Sequence, residues 1–291
     1  MRLVNWNIQW GRGADGRVDL RRIVDEARDL ADFDVLCLQE VTRGFDGGEA
    51  GGGLPGGPDA DQFASLAALL PGYTVLDAIG ADLPSPRPGG ARRQNGNAII
   101  TRYPVGPVFR HSLPWPADPA VMSMPRVALE AVMHSDVGPL RVTTTHLEYY
   151  SSTQRLAQAH ALRALHVEAS GHAARPGTQG DPNSPFASVE RPYAALLCGD
   201  FNSAPDDPAY LGMLEPMPTG VPAFVDAWVA AHGQAPRAHT VGVHDHAQWP
   251  QGPFACDFVF LTPDLAARLS RCDVDQRSTA SDHQPIVVEL H

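Results

Sequence analysis

Short apolar runs alternate along this chain with amphipathic stretches and long polar loops. Runs that alternate with period two, or that are bounded by Gly, Pro, Asn and Asp, read as strands. They predict strands at 2–8, 34–40, 73–78, 96–102, 126–134, 139–146, 193–199, 256–261 and 285–290. Three stretches carry a helical period instead. Leu20, Ile23, Val24, Ala27, Leu30 and Ala31 recur at steps of three and four after Asp19, a residue type that caps helix N-termini. Phe63, Leu66, Ala67 and Leu70 form a second stripe, which stops at Pro71-Gly72. A third helix opens on Ser151-Ser152-Thr153-Gln154, a capping-box pattern, and continues through Leu156, Leu162 and Leu165. This is more strand than a simple doubly wound fold uses. Two sheets packed face to face with helices outside accommodate every predicted element.

Between these elements lie a loop with eight glycines at 44–60, a Pro-, Gly- and Arg-rich loop at 80–95, a polar loop with four prolines at 170–192, and a His-containing loop near 232–255. Patterned segments continue on both sides of each without a composition shift. A single domain over 1–291 with long rim loops is therefore simpler than several units joined by linkers. The chain is 43% apolar and 19% charged, as expected of a soluble globular protein. No apolar run reaches membrane-spanning length, and the first residues read as a strand and not as a secretion signal, so a cytoplasmic location is expected. Cys37, Cys198, Cys256 and Cys272 are widely separated, which suits reduced core thiols better than a disulfide frame or a thiolate metal site. The formal net charge is −11, and the one short basic cluster is in Gly-Ala-Arg-Arg-Gln-Asn at 90–95. Such a balance disfavours duplex nucleic acid, whose binding depends on neutralising phosphates.

Polar residues gather at the ends of the predicted strands. Asn5, Asn7 and Gln9 alternate along the first, Gln39 and Glu40 close the second, and Asn97 opens another. His146 ends the strand at 139–146, Asp257 heads that at 256–261, and Asp282-His283 precede the last. In Leu-Leu-Cys-Gly-Asp-Phe-Asn, Asp200 and Asn202 share a face if the chain stays extended, whereas Gly, Asp, Asn and the following Pro205 also suit an ordinary turn. Any one of these positions is explained by a turn, a cap or a routine hydrogen bond. Their joint chemistry is coherent. Glu40, Asp282 and the amides are hard oxygen donors suited to Mg²⁺ or Mn²⁺ and not to zinc. Phosphoryl chemistry needs a cation, donors around the phosphate oxygens and a group that orients water. Asn7, Asn97, Asn202, His146 and His283 are candidate donors, and Asp200 is the candidate base.

With the motifs Trp-Asn-Ile-Gln at 6–9, Leu-Gln-Glu at 38–40, Gly-Asn-Ala-Ile-Ile at 96–100, Thr-His-Leu at 145–147, Gly-Asp-Phe-Asn at 199–202 and Ser-Asp-His-Gln-Pro at 281–285, the chain resembles the endonuclease/exonuclease/phosphatase superfamily, the DNase I-like metal-dependent phosphoesterases. The resemblance spans nearly the whole chain. It implies a four-layer α/β sandwich, with two packed, mainly antiparallel sheets flanked by helices and the site at one rim. It also implies Glu40 as principal metal ligand, supported by Asn7 and by Asp282 in a second or alternative site. Asp200 resembles the water-activating residue, Asn202 its neighbour on the scissile phosphate, and His146 the other phosphate-side position. His283 resembles a phosphate-contacting histidine paired with Asp257. A carboxylate at one ring nitrogen sets the tautomer and favours the charged imidazolium.

The departures bear on substrate. Gln9 and His146 stand where abasic-site endonucleases of the superfamily usually carry other residues, and those enzymes tend to be basic. Ser203-Ala204-Pro205 replace the aromatic and Arg usual after this motif in inositol polyphosphate phosphatases. Leu-Gln-Glu-Val with Thr-His-Leu is more similar to the sphingomyelinase, deadenylase and small-phosphodiesterase branches. The expectation is a Mg²⁺- or Mn²⁺-dependent phosphodiesterase acting on a small molecule or lipid headgroup in preference to duplex DNA, with no obligate protein partner evident. A nuclease of the same superfamily and an inactive binding module are the rivals, and the retained set of mutually repelling carboxylates argues against the second. His239, His244 and His246 are weighed as a second metal site and read instead as part of a loop bordering the active site. Trp115 and Trp249 read as loop anchors, with substrate contact by either as the alternative. Arg126 and Arg155 read either as partners of buried acids near the site or as exposed surface residues.

Overall fold

In the first strand Leu3 points to one side while Val4 and Trp6 point to the other, and all three are fully buried. Such a strand must be covered on both faces. The computed structural model describes residues 1–48, 52–178, 180, 181 and 183–291; residues 49–51 of the Gly-rich loop, and 179 and 182 of the loop at 170–192, lie outside the described residues. One six-stranded sheet runs in the order β11 (Leu269–Val274), β12 (Ile286–Leu290), β1 (Arg2–Asn7), β2 (Val35–Arg43), β4 (Arg93–Thr101), β3 (Thr74–Leu83). The other runs β5 (Val105–Ser112), β6 (Val127–Ser135), β7 (Gly138–His146), β8 (Ala195–Asp200), β10 (Asp257–Leu261), β9 (Val225–Asp226). Neighbours are antiparallel except for one parallel pair at the centre of each sheet, β1 with β2 and β7 with β8.

Leu3, Val35, Cys37 and Ile99 of the first sheet meet Leu129, Val142, Leu196 and Cys198 of the second in the core between them. On its outer face the first sheet buries Val4, Trp6, Leu36 and Leu38 against α1 (Leu20–Leu30) and α2 (Gln62–Leu69). The second sheet buries Leu197, Phe258 and Phe260 with Leu162 of α3 (Ser152–Ala174) and Tyr210 and Met213 of α4 (Pro208–Leu214). The result is a helix–sheet–sheet–helix sandwich. A Leu36→Ala change in this packing would cost about 2–5 kcal/mol. Each parallel pair is bridged by its own helix, α1 or α3, because parallel neighbours need a crossover. Both crossovers leave the carboxyl ends of their strands at one rim.

All nine predicted strands are present, several with shifted ends, and β5, β9 and β11 join them. β5 carries Pro107, Arg110 and His111 at a sheet edge, β9 has two residues, and β11 is largely polar, so none has a strong apolar run. Much of the expected loop at 80–95 is instead a hairpin, with β3 running to Leu83 and β4 starting at Arg93. Asp19, Asp61 and Ser151 cap α1, α2 and α3 by accepting from backbone N–H groups. The capping box of α3 closes on one side only, because Gln154 sends its amide to the Pro116 carbonyl. Helices α5 (Ala227–His232) and α6 (Pro263–Ala266) are too short to show a period. All four cysteines are buried free thiols. No described helix is long and apolar enough to cross a membrane.

Candidate active site

The rim where the two parallel pairs end collects the polar residues. Asn7 ends β1, His146 ends β7 and Asp200 ends β8, with His146 and Asp200 in register across the parallel pair. Gly199 permits that approach: its φ is +150°, and a β-carbon there would strike the Thr145 carbonyl of β7. The Gly in Gly-Asp-Phe-Asn therefore serves strand packing, and β8 extends through Asp200 before turning. Glu40 reaches the same rim by a β-bulge. Leu38 pairs with Ala98 and Val41 with Gly96, so Gln39 and Glu40 together oppose Asn97. Gln39 turns inward, donating to Asn5 and to Thr144 of the other sheet. Among the described residues the non-glycine positions with positive φ are Gln9, Trp10, Glu40 and Asn202, and all four line one cleft of about 630 Å³. Backbone strain of this kind concentrates at functional sites because surrounding structure must enforce it.

Inside the cleft the side chains form one network. Asn7 Nδ2 donates to Glu40 Oε1 at 3.1 Å and to Asp200 Oδ2 at 2.9 Å, while its Oδ1 accepts from Gln9 N at 3.0 Å. Asp200 Oδ1 accepts from Asn202 N at 2.8 Å. Its Oδ2 lies 3.4 Å from His146 Nε2 and 3.7 Å from His283 Nε2. Asn202 donates its amide to His146 Nε2 at 2.9 Å and to the Leu147 carbonyl at 3.0 Å. His146 Nε2 is thus an acceptor and its proton resides on Nδ1. His283 Nδ1 and Asp257 Oδ2 are 2.8 Å apart, and Cys256 Sγ also donates to that oxygen at 3.5 Å. Asp282 Oδ2 accepts from Gln9 at 3.1 Å and from Trp249 Nε1 at 3.0 Å, and its Oδ1 from Ser281.

Burial and charge set the protonation states. Glu40 is pushed up to about 7 by burial and by the Asp282 carboxylate, against the opposing help of Asn7 and His283. Asp200 rises to about 6, from burial first and Asp257 second. For His283 burial favours the neutral ring, but the carboxylates of Asp257, Asp200 and Asp282 outweigh it and hold the ring well above its ordinary value. His146 moves the other way: burial, then Arg126, then His283, lower it well below the usual histidine range. The site holds one cationic and one neutral imidazole on either side of Asp200.

Ligand atoms of Asp200, Cys256, Asp257 and His283 lie within 4.8 Å of one another. Burial and the adjacent carboxylates keep the Cys256 thiol protonated, and Asp257 is occupied by His283, so this quartet is a hydrogen-bonded unit and not an open metal shell. Glu40 differs. Asn7 is its one hydrogen-bond donor among the described residues, it opens onto the cleft, and two carboxylates repel it. An oxygen donor so placed fits a hard divalent cation. Asn97 lies beside the main cleft, in a crevice it shares with His146, and its amide donates to the Val127 carbonyl.

Of the residues weighed from sequence, Arg126 is buried and donates to Glu148 at 3.2 Å, and Arg155 pairs with Asp207. His239, His244 and His246 form no metal-sized group among the described residues. Their loop does border the site, since Val241 bridges His283 and Gly242 N donates to the Asp282 carbonyl. Gln248, which meets Gln9, and the wall formed by Tyr149 and Tyr150 carried no sequence signal, because neither lies in a motif or at a predicted strand end.

The profile of the Endonuclease/Exonuclease/phosphatase family matches residues 4–283. No protein of curated function matches in sequence. Among solved structures, an endonuclease/exonuclease/phosphatase from Beutenbergia cavernae superposes with a TM-score of 0.65 at 22% identity, covering 99% of this chain and 70% of that one. A Bacteroides thetaiotaomicron mannosyl-6-phosphatase gives 0.64 at 17% identity, covering 100% and 99%. The human Nocturnin catalytic domain, with bound sulfate, gives 0.61 at 20% identity, covering 99% and 92%. At these identities the structures establish a shared fold.

Proposed function

The chain belongs to the endonuclease/exonuclease/phosphatase family, and from that premise we propose that it is a divalent-cation-dependent phosphodiesterase acting by in-line attack of water on phosphorus. The observation that carries this reading is the placement of Asp200, raised to about 6, between a cationic His283 and a neutral His146 in one cleft. A carboxylate tuned towards neutrality is suited to orient a water and take its proton. His283, held by Asp257, presents positive charge to the phosphate oxygens as negative charge develops there. His146 carries its proton on Nδ1, and Asn202 fixes its ring by donating to Nε2. Asn97, in the adjoining crevice, is assigned to the phosphate side as well.

Glu40, with Asn7 and Asp282 beside it, would hold Mg²⁺ or Mn²⁺, which supplies charge neutralisation for the phosphate. Asn7 also ties Glu40 to Asp200 through its amide, so cation binding and water orientation share one side chain. The same reading treats residues 1–291 as one catalytic unit. Hydrolysis of bis(4-nitrophenyl) phosphate, assayed with Mg²⁺ or Mn²⁺ and again with EDTA, tests it. Turnover that EDTA abolishes and Asp200→Asn reduces at least a hundredfold, about 3 kcal/mol of barrier, is expected. Background hydrolysis under every condition would sink the proposal.

A further inference from the structure

The cleft that holds the catalytic network is larger than a phosphate needs, and its remaining wall has a distinct chemistry. A run of edge-to-face aromatic contacts leads away from His283. Trp249 lies 6.2 Å from the His283 ring, Tyr149 6.1 Å from Trp249, and Tyr150 4.8 Å from Tyr149. The inner end is pinned, since Trp249 donates to Asp282. The outer end is open: Tyr149 is 40% exposed and Tyr150 53%. Trp115, 52% exposed with its Nε1 held by Ser123, lines the same cleft together with Met124 and Leu83. Large aromatic side chains left half uncovered beside a reactive centre are unfavourable in water and present ring faces to a ligand.

Charge narrows what that ligand is. Among the described residues Arg126 is the one Lys or Arg lining the cleft; its Nε donates to Glu148 while its Nη1 has no partner there, and Glu40, Asp200 and Asp282 line the same cleft. Beyond His283 and the cation proposed at Glu40, the described lining thus sets one guanidinium against three carboxylates, a balance that favours an uncharged group over a second phosphate.

We propose that the substrate carries one phosphate esterified to an uncharged aromatic ring group, which packs on the Trp249–Tyr149–Tyr150 run and against Trp115. The inference rests on the phosphoesterase reading for the position of the phosphate, and on the wall of the cleft for the ring. Burying a ring on aromatic partners strengthens binding beyond simple area, by roughly two- to tenfold for each good contact.

The test separates binding from turnover. Methyl-, cyclohexyl-, phenyl- and 1-naphthylphosphonate, which have no ester bond to cleave, are titrated calorimetrically into the full chain in saturating Mg²⁺. Affinity should rise in that order, with 1-naphthylphosphonate at least about tenfold tighter than methylphosphonate. In Tyr150→Ala and Trp115→Ala, both at exposed positions where folding is not at risk, the naphthyl-to-methyl affinity ratio should fall about five- to tenfold. A second phosphate on the naphthyl ring should weaken binding. Equal affinities for the methyl and naphthyl compounds, a cyclohexyl compound that matches the phenyl one, or an unchanged ratio in both variants would each overturn the inference. Discrimination among phosphonates without turnover of any diester refutes the hydrolase reading alone. Turnover without discrimination refutes this inference alone.

Discussion

Glu40 should be a residue that the protein carries at the expense of stability. Its carboxyl is raised from 4.5 to about 7, first by burial and then by Asp282, with the Asn7 hydrogen bond only partly compensating. A carboxyl raised in the folded state has the opposite sign from a salt-bridged one: the fold loses stability as pH climbs through 4.5, and the loss is complete above about 7. The shift corresponds to about 3–4 kcal/mol at most, since one unit is worth about 1.4 kcal/mol. Glu40→Gln removes the charge, retains an oxygen to accept from Asn7, and occupies the same left-handed backbone position at φ 59°. Urea unfolding in EDTA should show the variant more stable than wild type by about 1–3 kcal/mol at pH 8, and within about 0.5 kcal/mol of it at pH 4.5. Adding Mg²⁺ at pH 8 should stabilise the wild type and not the variant, because a bound cation offsets the repulsion that the substitution removes. A variant less stable at pH 8, or a gain that is the same at both pH values, would show that Glu40 is not held as a strained anion.

Three further outcomes follow from other parts of the molecule. Asp257→Asn keeps a partner at His283 Nδ1 but removes the nearest charge that raises the ring, so the imidazolium should be lost at lower pH and the alkaline limb of the kcat/KM profile should move down; an unmoved limb excludes the pairing. Glu130 lies buried with Arg141 and Arg191, each 3.0 Å away, and Glu130→Gln should cost about 3–5 kcal/mol by leaving two guanidiniums underneutralised, whereas a loss below about 1 kcal/mol in urea unfolding would mark the cluster as water-screened. With a net charge of −11, duplex DNA should not bind tightly, and a steep salt-dependent loss of submicromolar affinity in fluorescence anisotropy would favour a nuclease instead.

The alternation of apolar and polar residues contained the nine main strands, three capped helices and the need for two facing sheets, because each of those is decided by local periodicity and by which face has to be covered. The polar residues at strand ends were legible for the same reason: a hydrophilic side chain that closes an apolar run has to lie at a rim. The edge strands β5 and β11 were not, since a strand paired on one side needs little apolar pattern. Nor was the bulge that turns Glu40 towards Asn7, as it depends on how β2 registers with β4 and not on either strand alone. Burial pushes both histidines towards the neutral ring, and neighbours far away in sequence set them apart, with Asp257 and Asp200 beside His283 and Arg126 near His146. The aromatic wall joins Tyr149 and Tyr150, just before α3, to Trp249 in a loop a hundred residues later. The sequence by itself determined which chemical groups stand at the ends of which strands; only the packing of one sheet on the other decided their distances and charges, because electrostatics and ring contacts act through space and carry no period along the chain.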